Sequence, residues 1–213
     1  MNIEKVIENL KKNNMETFLV KTRDEARTLA LSMIPEGAVC AHGGSVTLKE
    51  CGIPEALTEG NYTYLDRSAP CLTDAEREEM MLRAQCCDVY LSSSNAITED
   101  GELYNVDGNS NRVSNLLYGP KAVIIVAGVN KIVKDLDEAV VRVKTIAAPL
   151  NCKRLNCNTP CAKTGKCISL DQGGNMPKGC NSDGRICVNF TVMARQRKKD
   201  RVKVILVDEE LGY

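Results

Sequence analysis

The sequence contains no tryptophan, and its 213 residues include only two phenylalanines and one histidine. The hydrophobic core must therefore consist mainly of valine, isoleucine, leucine, alanine and methionine side chains. No aromatic platform accompanies the basic residues, which disfavours binding of single-stranded nucleic acid by stacking. The sequence also lacks a nicotinamide or flavin fingerprint, so it gives no support to hydride transfer by this chain alone.

Long apolar runs are absent as well. No stretch approaches the roughly 20 apolar residues of a membrane span, and residues 1–14 are charged and amphipathic, without the apolar core of a secretory signal. We therefore expect a cytoplasmic protein with no membrane span. In that compartment disulfides are rare, and groups of cysteines favour metal or redox chemistry. The odd total of eleven cysteines also argues against a complete disulfide framework.

The formal net charge is zero but unevenly distributed. Residues 1–150 carry 16 basic and 22 acidic side chains, whereas residues 151–201 carry 11 basic and 3 acidic ones. The basic segment contains most of the cysteines, and we interpret its charge mainly as compensation for thiolates. A solvated basic surface is the alternative, and we expect no nucleic-acid partner.

Six of the eleven cysteines fall in one 36-residue stretch that is rich in glycine, proline, asparagine and lysine. Such a segment has too few large apolar residues to fold by burial, and thiolates at this density typically hold a metal or an inorganic cluster. No C-x2-C pair is present, so it is neither a ferredoxin run nor a zinc ribbon. The candidate ligands lie beside turn or basic residues, whereas Cys152 and Cys157 are weaker candidates. These ligands are Cys161, Cys167, Cys180 and Cys187.

Strand-like and helix-like patterns alternate along residues 1–150, which predicts a layered α/β domain. Residues 122–127 (AVIIVA) form the clearest strand, continuous and β-branched as buried parallel strands tend to be. Residues 202–207 (VKVILV) are predicted to return to the main sheet, so that residues 202–213 belong with the first domain. The Cys-rich segment, residues 151–201, is then an insertion that binds a metal or cluster.

A glycine-containing turn between a predicted strand and helix is a candidate anion site for phosphate or carboxylate. The alternative is a tight turn in which Ser45 serves only as the helix N-cap. His42 directly precedes the turn as a candidate acid–base group, although a lone histidine is more often structural. The candidate ligand-binding residues of the turn are Gly43, Gly44, Ser45 and Thr47.

A polar segment follows the predicted strand at residues 88–91, at the kind of strand end where open α/β sheets bind ligands. Glu99, Asp107 and Arg112 are predicted to orient a small polar substrate, with Arg112 gripping a carboxylate in bidentate fashion. The alternative is an exposed hairpin with a turn rich in asparagine and glycine. Candidate ligand-binding residues in this segment are Asn95, Thr98, Gly101, Asp107 and Asn109.

Three stretches resemble the LUD (lactate-utilisation domain) family, related to lactate utilisation protein C. They are GGSVTLKECGI at 43–53, the polar segment and strand at 95–133, and the cysteine pattern at 159–187. The resemblance implies a three-layer α/β fold with helices on both faces, similar to the ribose-phosphate isomerase and CoA-transferase group. Relatives commonly read Thr-Glu-Thr-Gly-Thr where this chain has TEDGE at 98–102, and the linker between Cys167 and Cys180 looks longer here.

By that resemblance the chain is a component of a lactate (2-hydroxy acid) oxidation system with iron–sulfur partner subunits. The four candidate cysteines would hold a 4Fe–4S cluster, while Arg112 and the turn at 43–47 would position a small carboxylate. One alternative is a non-redox acyl-CoA or sugar-phosphate enzyme that uses Glu99 as nucleophile or base, with a structural zinc. Another is a non-catalytic assembly subunit. Iron–sulfur versus zinc, catalysis by the chain itself and a homo-oligomer stay open at this point.

Overall fold

The computed structural model describes residues 2–213, so that Met1 of the predicted first domain lies outside the described residues. The helices are α1 Ile3–Lys12, α2 Arg23–Ser32, α3 Val46–Glu50, α4 Ile53–Glu59, α5 Asp74–Ala84, α6 Asn111–Leu117, α7 Leu136–Arg142, α8 Ala148–Arg154 and α9 Pro160–Thr164. The strands are β1 Glu16–Val20, β2 Val39–His42, β3 Thr63–Leu65, β4 Val89–Ser92, β5 Ala96–Thr98, β6 Leu103–Asp107, β7 Ala122–Gly128, β8 Ile132–Val133, β9 Asn189–Met193 and β10 Val202–Val207.

Six strands form one parallel sheet in the order β1-β10-β7-β4-β2-β3. The last strand, β10, lies between β1 and β7, with Leu206 opposite Leu19 on one side and Ala127 on the other. Buried parallel strands are apolar on both faces, and β7 has six consecutive buried residues. The two most apolar strands, β7 and β10, therefore pair with each other inside the sheet, away from its edges.

Helices cover both faces of this sheet. Alternate residues of each strand point to opposite faces, so Ile205 of β10 packs in a core with α2, α3 and α4, while Leu206 packs in a second core with α1, α5 and α6. Six of the helices within residues 2–213 begin at a residue whose side chain caps the first turn. One of these residues is Thr73, which forms a reciprocal capping box with Glu76 at the start of α5. The predicted α/β fold with helices on both faces is confirmed.

A second sheet of four strands, in the order β8-β5-β6-β9, packs beside the main one. Its strand β9 comes from the end of the Cys-rich segment and pairs with β6, from Met193 opposite Leu103 to Asn189 opposite Asp107. The Cys-rich segment thus leaves the body at the end of α8 and rejoins it at β9. Tight packing fixes the β5–β6 turn, because a Cβ at Gly101 would come within 2.6 Å of the Leu10 backbone of α1.

A π-helical turn at Val143–Ala147 joins α7 to α8 in one long kinked helix. Asp135 caps its start by accepting a hydrogen bond from the Glu138 backbone N–H. The helix packs against the second sheet through Ala139, Val143 and Ala147. None of the helices within residues 2–213 is long and apolar enough to cross a membrane.

Candidate functional site

A cleft of about 550 Å³ opens at the carboxyl ends of the parallel strands. Its walls come from the segments that follow four neighbouring strands: Gly44–Val46 after β2, Arg67 after β3, Ser93–Asn95 after β4 and Lys131 after β7. Carboxyl ends of parallel strands meet at one edge of the sheet, which is where open α/β sheets bind ligands. The fold therefore brings these sequence-distant residues together in one place.

The cleft is strongly cationic. Six basic side chains line it, and Asp107 is the single acidic residue among the lining residues. Within residues 2–213, only Arg112 of these six forms an ion pair, at 3.7 Å from the Asp107 carboxylate. A concave surface lined by one sign of charge concentrates oppositely charged molecules. The other five cations are Arg67, Arg77, Lys131, Arg154 and Arg185.

Lys131 is the least exposed of these cations, with 3% of its surface accessible. Its Nζ donates hydrogen bonds to the hydroxyls of Thr47, at 2.8 Å, and Ser93, at 3.0 Å. Burial and the neighbouring charges of Arg142 and Arg112 lower the pKa of Lys131 to about 7. A buried amine held by hydroxyls and without a carboxylate partner is suited to receive an anion.

Arg112 is held firmly by the β6–α6 connection. Its guanidinium donates to the side-chain oxygens of Asn105, at 2.6 Å, and Asn95, at 3.1 Å, and to the carbonyls of Val106 and Ser93. Burial lowers the pKa of Arg112, and the Asp107 carboxylate opposes that effect. These acceptors use its four terminal N–H groups, so the guanidinium acts as a fixed charge in the wall of the cleft, and the geometry gives no support to the predicted bidentate grip on a carboxylate.

Asp107 organises the start of α6 beside Arg112. Its carboxylate accepts hydrogen bonds from four backbone N–H groups, those of Asn109, Ser110, Arg112 and Val113. Asp107 and Asn109 both line the cleft, as does Asn95. The structure thus brings these three predicted residues together with Arg112, Gly44 and Ser45.

The two glycines of the predicted anion turn leave space for arginine side chains. A Cβ at Gly43 would lie 2.9 Å from Cγ of Arg112, and one at Gly44 would lie 3.0 Å from a guanidinium nitrogen of Arg67. The Gly43 N–H already donates to the Leu91 carbonyl, and the Ser45 hydroxyl caps α3 by accepting from the Leu48 N–H. The turn therefore contributes to the cleft chiefly by letting the aliphatic stem of Arg112 and the guanidinium of Arg67 approach the backbone.

Several predicted site residues do not line the cleft. His42 is buried, where it stacks on Tyr64 and its Nδ1 lies 2.7 Å from the Gly43 carbonyl; burial lowers the pKa of this histidine. Thr47 is also buried and reaches the site only through Lys131. Thr98 bonds within the β5–β6 hairpin, to Glu102. The remaining residues outside the cleft lining are Gly43, Glu99 and Gly101.

Glu99 lies on the α1 side of the hairpin. Its carboxylate pairs with Lys5 of α1 at 3.0 Å, and its backbone carbonyl accepts from the Asn9 side chain. The geometry therefore gives no support to a role for Glu99 at the cleft.

The four predicted metal ligands line a second, small cavity next to the cleft. All four thiols are free, and three of them are buried. Cys152 and Cys157 do not line this cavity, and burial raises the pKa of Cys152 to about 12. Within residues 2–213, no group of three or more His, Cys, Asp or Glu side chains is arranged to hold a metal ion. The thiols therefore surround one space without meeting at one point.

Two cations tie the loop that carries these cysteines. Lys144, from the π-helical turn, donates from Nζ to the Ser169 hydroxyl at 2.9 Å and to the carbonyls of Asn175 and Lys178. Arg185 donates to the carbonyls of Cys187, Cys180 and Pro177. Lys144 lines the cysteine cavity and Arg185 lines the cleft.

The two spaces share a wall made of Val143, Ala148 and Cys187. One of the four thiol-bearing residues thus contacts the cleft directly. Arg185 belongs to the same wall, because its guanidinium lies in the cleft lining while it bonds the Cys187 carbonyl at 2.8 Å. The architecture places a cationic ligand cleft directly against the cysteine site.

Sequence reasoning missed five of the six cleft cations. Lys131 could have been predicted, because it lies three residues after the end of β7, the strand that the sequence predicts most clearly. Arg67 and Arg185 lie in loops, Arg77 lies in the first turns of α5 and Arg154 ends α8, and no local pattern marks any of them.

A sequence model of the LUD domain matches residues 3–207, so the chain belongs to the LUD domain family. This family is associated with lactate utilisation. The structure is similar to the crystal structure of a DUF162 family protein from Deinococcus radiodurans, with a TM-score of 0.51 and 15% identity over 96% of this chain and 95% of that chain. That likeness supports the fold alone. No curated protein matches the sequence significantly.

Proposed function

We propose that this chain is a component of a lactate (2-hydroxy acid) oxidation system. In this proposal it binds a small carboxylate or phosphate in the cationic cleft and a 4Fe–4S cluster at Cys161, Cys167, Cys180 and Cys187. The observation that carries the proposal is that these four thiols surround one cavity whose wall is shared with the cleft.

The charge of the cleft supports the ligand class. Arg67 and Arg112 pack on consecutive glycines, and Lys131 reaches the same region through Ser93, whose carbonyl also accepts from Arg112. Guanidinium and ammonium groups form their strongest hydrogen bonds with carboxylates and phosphates. The residues of this chain would therefore bind and orient the anion, while Asp107 holds Arg112 in place.

The cysteine site fits an inorganic cluster in its donor set and its surroundings. Four thiolates are the usual ligands of a 4Fe–4S cluster, which supplies one-electron transfer when bound. A single zinc ion needs four sulfurs at about 2.3 Å from one point. The free space between these thiols is about 20 Å³, so either centre would require the thiols to rearrange around it, and metal analysis decides between the two. Lys144 and Lys178 in the same lining would offset the negative charge of the thiolates.

Hydroxyl groups near two of the sulfurs add to this fit. The Thr159 hydroxyl lies 3.4 Å from the Cys161 sulfur, and the Ser169 hydroxyl lies 3.2 Å from the Cys167 sulfur. Hydrogen bonds to sulfur tune the electron affinity of a cluster. Thr159 also caps α9, whereas Ser169 accepts from Lys144 and donates to the Lys178 carbonyl at 3.1 Å. The Thr159 hydroxyl is therefore the better placed donor to a sulfur.

Anaerobic purification with iron, sulfide and zinc analysis tests the proposal. We expect brown protein with about four iron and four sulfide per chain, and loss of most of both in Cys161→Ser and Cys180→Ser. Cys71→Ser is the matched control, because Cys71 is exposed and distant in sequence from the segment. Colourless protein with one zinc per chain would reject the cluster, and unchanged metal content in both variants would reject the ligand assignment.

The acyl-transfer alternative relies on Glu99, which the structure pairs with Lys5 outside the cleft lining. No specific contact favours that alternative over the first proposal. A non-catalytic assembly role predicts metal binding without ligand binding in the cleft, so titration of the metal-loaded protein with lactate and phosphate separates the two.

A further inference from the structure

The cleft is larger than a small 2-hydroxy acid requires. At about 30 Å³ for each heavy atom, the volume share of a water molecule in the liquid, the six heavy atoms of lactate would fill roughly 180 Å³. The cleft encloses about 550 Å³, within the range of sites that hold drug-sized ligands. A ligand that fills it must extend well beyond one carboxylate.

Three of the cations lie close together at one end of the cleft. Arg112 and Lys131 both donate to Ser93, to its carbonyl and its hydroxyl, and Arg112 and Arg67 contact the consecutive glycines Gly43 and Gly44. A carboxylate has two oxygens and one charge, whereas a phosphate monoester has three terminal oxygens and nearly two charges. Three neighbouring cations therefore match the charge of a phosphate better than that of a carboxylate. Arg67 and Lys131 would donate to it, while Arg112 contributes its charge, because its four terminal N–H groups are bonded within the protein.

The other end of the cleft, beside α8 and residues 186–188, carries most of its apolar lining, together with Arg154 and Arg185. Leu155, Ile186 and Val188 line it together with Val143, Ala147 and Ala148. Leu155 is 48% exposed and Val188 is 51% exposed, so both present apolar surface at the mouth. Tyr213 adds a ring whose hydroxyl accepts from Arg154 at 2.8 Å and donates to Asn151. A site with cations at both ends and apolar side chains concentrated at one of them suits a ligand that carries an anionic group and an apolar ring.

We propose that the cleft binds an organic phosphate of nucleotide size, with the phosphate at Arg67, Arg112 and Lys131 and a ring system against Leu155, Ile186 and Val188. This inference rests on the proposed function in one respect, that the cleft is the ligand site. It does not depend on which metal the cysteines hold.

Calorimetric titration of the full chain with AMP, adenosine, inorganic phosphate and lactate tests the inference. We expect AMP to bind at least tenfold more tightly than each of the other three. If inorganic phosphate binds as tightly as AMP, or if lactate binds more tightly, the inference is wrong and the proposed small-ligand site stands. If none of the four binds, both the inference and the ligand part of the proposed function are wrong. Iron analysis on the same preparation decides the cluster part independently.

Variants at each end of the cleft test which part of AMP binds there. Lys131→Met should weaken AMP and phosphate together by at least tenfold, and Arg67→Gln repeats that test at a half-buried position if Lys131→Met does not fold. Leu155→Ser and Val188→Ser should weaken AMP about fivefold and leave phosphate unchanged. The controls are Lys199→Met and Leu19→Ser, which are exposed and outside the cleft lining. Equal losses in variants and controls would contradict the assignment of the ends.

Discussion

The parallel-sheet body and the part of the Cys-rich segment between residues 156 and 188, called here the Cys-rich loop, are stabilised in different ways. In the body, β7 and β10 are almost wholly buried between two helical layers. Between residues 156 and 188, the buried hydrophobic side chains are those of three cysteines, Cys161, Cys167 and Cys180. The loop instead depends on hydrogen bonds from Lys144 and Arg185 to its carbonyls.

This difference predicts which of the two regions would gain folding free energy from metal binding. Burial of apolar surface stabilises the body whether or not a metal is bound. The loop buries little beyond its thiols, so binding of a metal centre would supply a large part of its folding free energy. We therefore expect the two regions to respond separately to mutation, because sites without shared contacts have nearly additive effects.

The largest effect is expected from a cavity in the middle of the body. Leu206→Ala removes a fully buried side chain from β10, which pairs with strands on both sides. The free energy of unfolding should fall by about 2–5 kcal/mol, as measured by urea denaturation. The exposed Leu19→Ser change, on the neighbouring strand, is the control. A loss below that of the control would contradict the assignment of β10 to the centre of the sheet.

A smaller and local effect is expected from the cation beneath the loop. Lys144→Met removes the donor to the Ser169 hydroxyl and to the Asn175 carbonyl, and one of the two donors to the Lys178 carbonyl, which keeps its bond from Ser169. Leaving buried polar groups unpaired costs about 1–3 kcal/mol, and we expect faster amide exchange in residues 168–180 than in the wild type. Exchange in β7 and β10 should stay unchanged, and Lys163→Met, at an exposed position, is the control. Equal acceleration in the central strands would show that loop and body unfold together.

Lys131 lies at the edge of the body and should make stability depend on pH. Its pKa is about 7 in the fold and 10.5 for the free side chain, so the unfolded chain binds more protons between those values. The free energy of unfolding should therefore rise with pH in that window, by up to about 1.4 kcal/mol per pH unit from this group. Urea denaturation at about pH 7 and pH 9 should show a steeper rise in the wild type than in Lys131→Met. Equal slopes would contradict burial of this amine.

Much of the body could be predicted from sequence because its signals are local. The strand at residues 122–127 and the strand at 202–207 are runs of β-branched and aliphatic residues, and both lie within strands of the structure. By contrast β5, at Ala96–Thr98, lies in a polar segment and becomes a strand by pairing with Ile132–Val133 and with β6. Similarly β9, at Asn189–Met193, forms because β6 accepts it as a partner.

The site could be predicted only in part for the same reason. The four cysteines could be identified as candidate ligands because six cysteines fall within 36 residues of sequence, and the structure brings these four to one cavity. Arg67 and Arg185 are single basic residues in loops, and their approach to the cleft depends on strand order, which no short motif encodes. For Glu99 the sequence predicted a site role that the structure does not support. The TEDGE motif suggested a ligand-binding or catalytic carboxylate, whereas the β5–β6 hairpin directs that carboxylate to Lys5.

The smallest effect is expected at that ion pair, and it tests whether the body depends on burial alone. Glu99→Gln removes the carboxylate that pairs with Lys5 at 3.0 Å, where the two side chains are 24% and 48% exposed. Exposed pairs contribute about 0–1 kcal/mol, and the backbone bond from Asn9 to the Glu99 carbonyl is unaffected. Urea denaturation should show a change in that range, and phosphate or AMP titration should show no change. A tenfold loss of binding or turnover would instead restore Glu99 to the site and favour the acyl-transfer alternative.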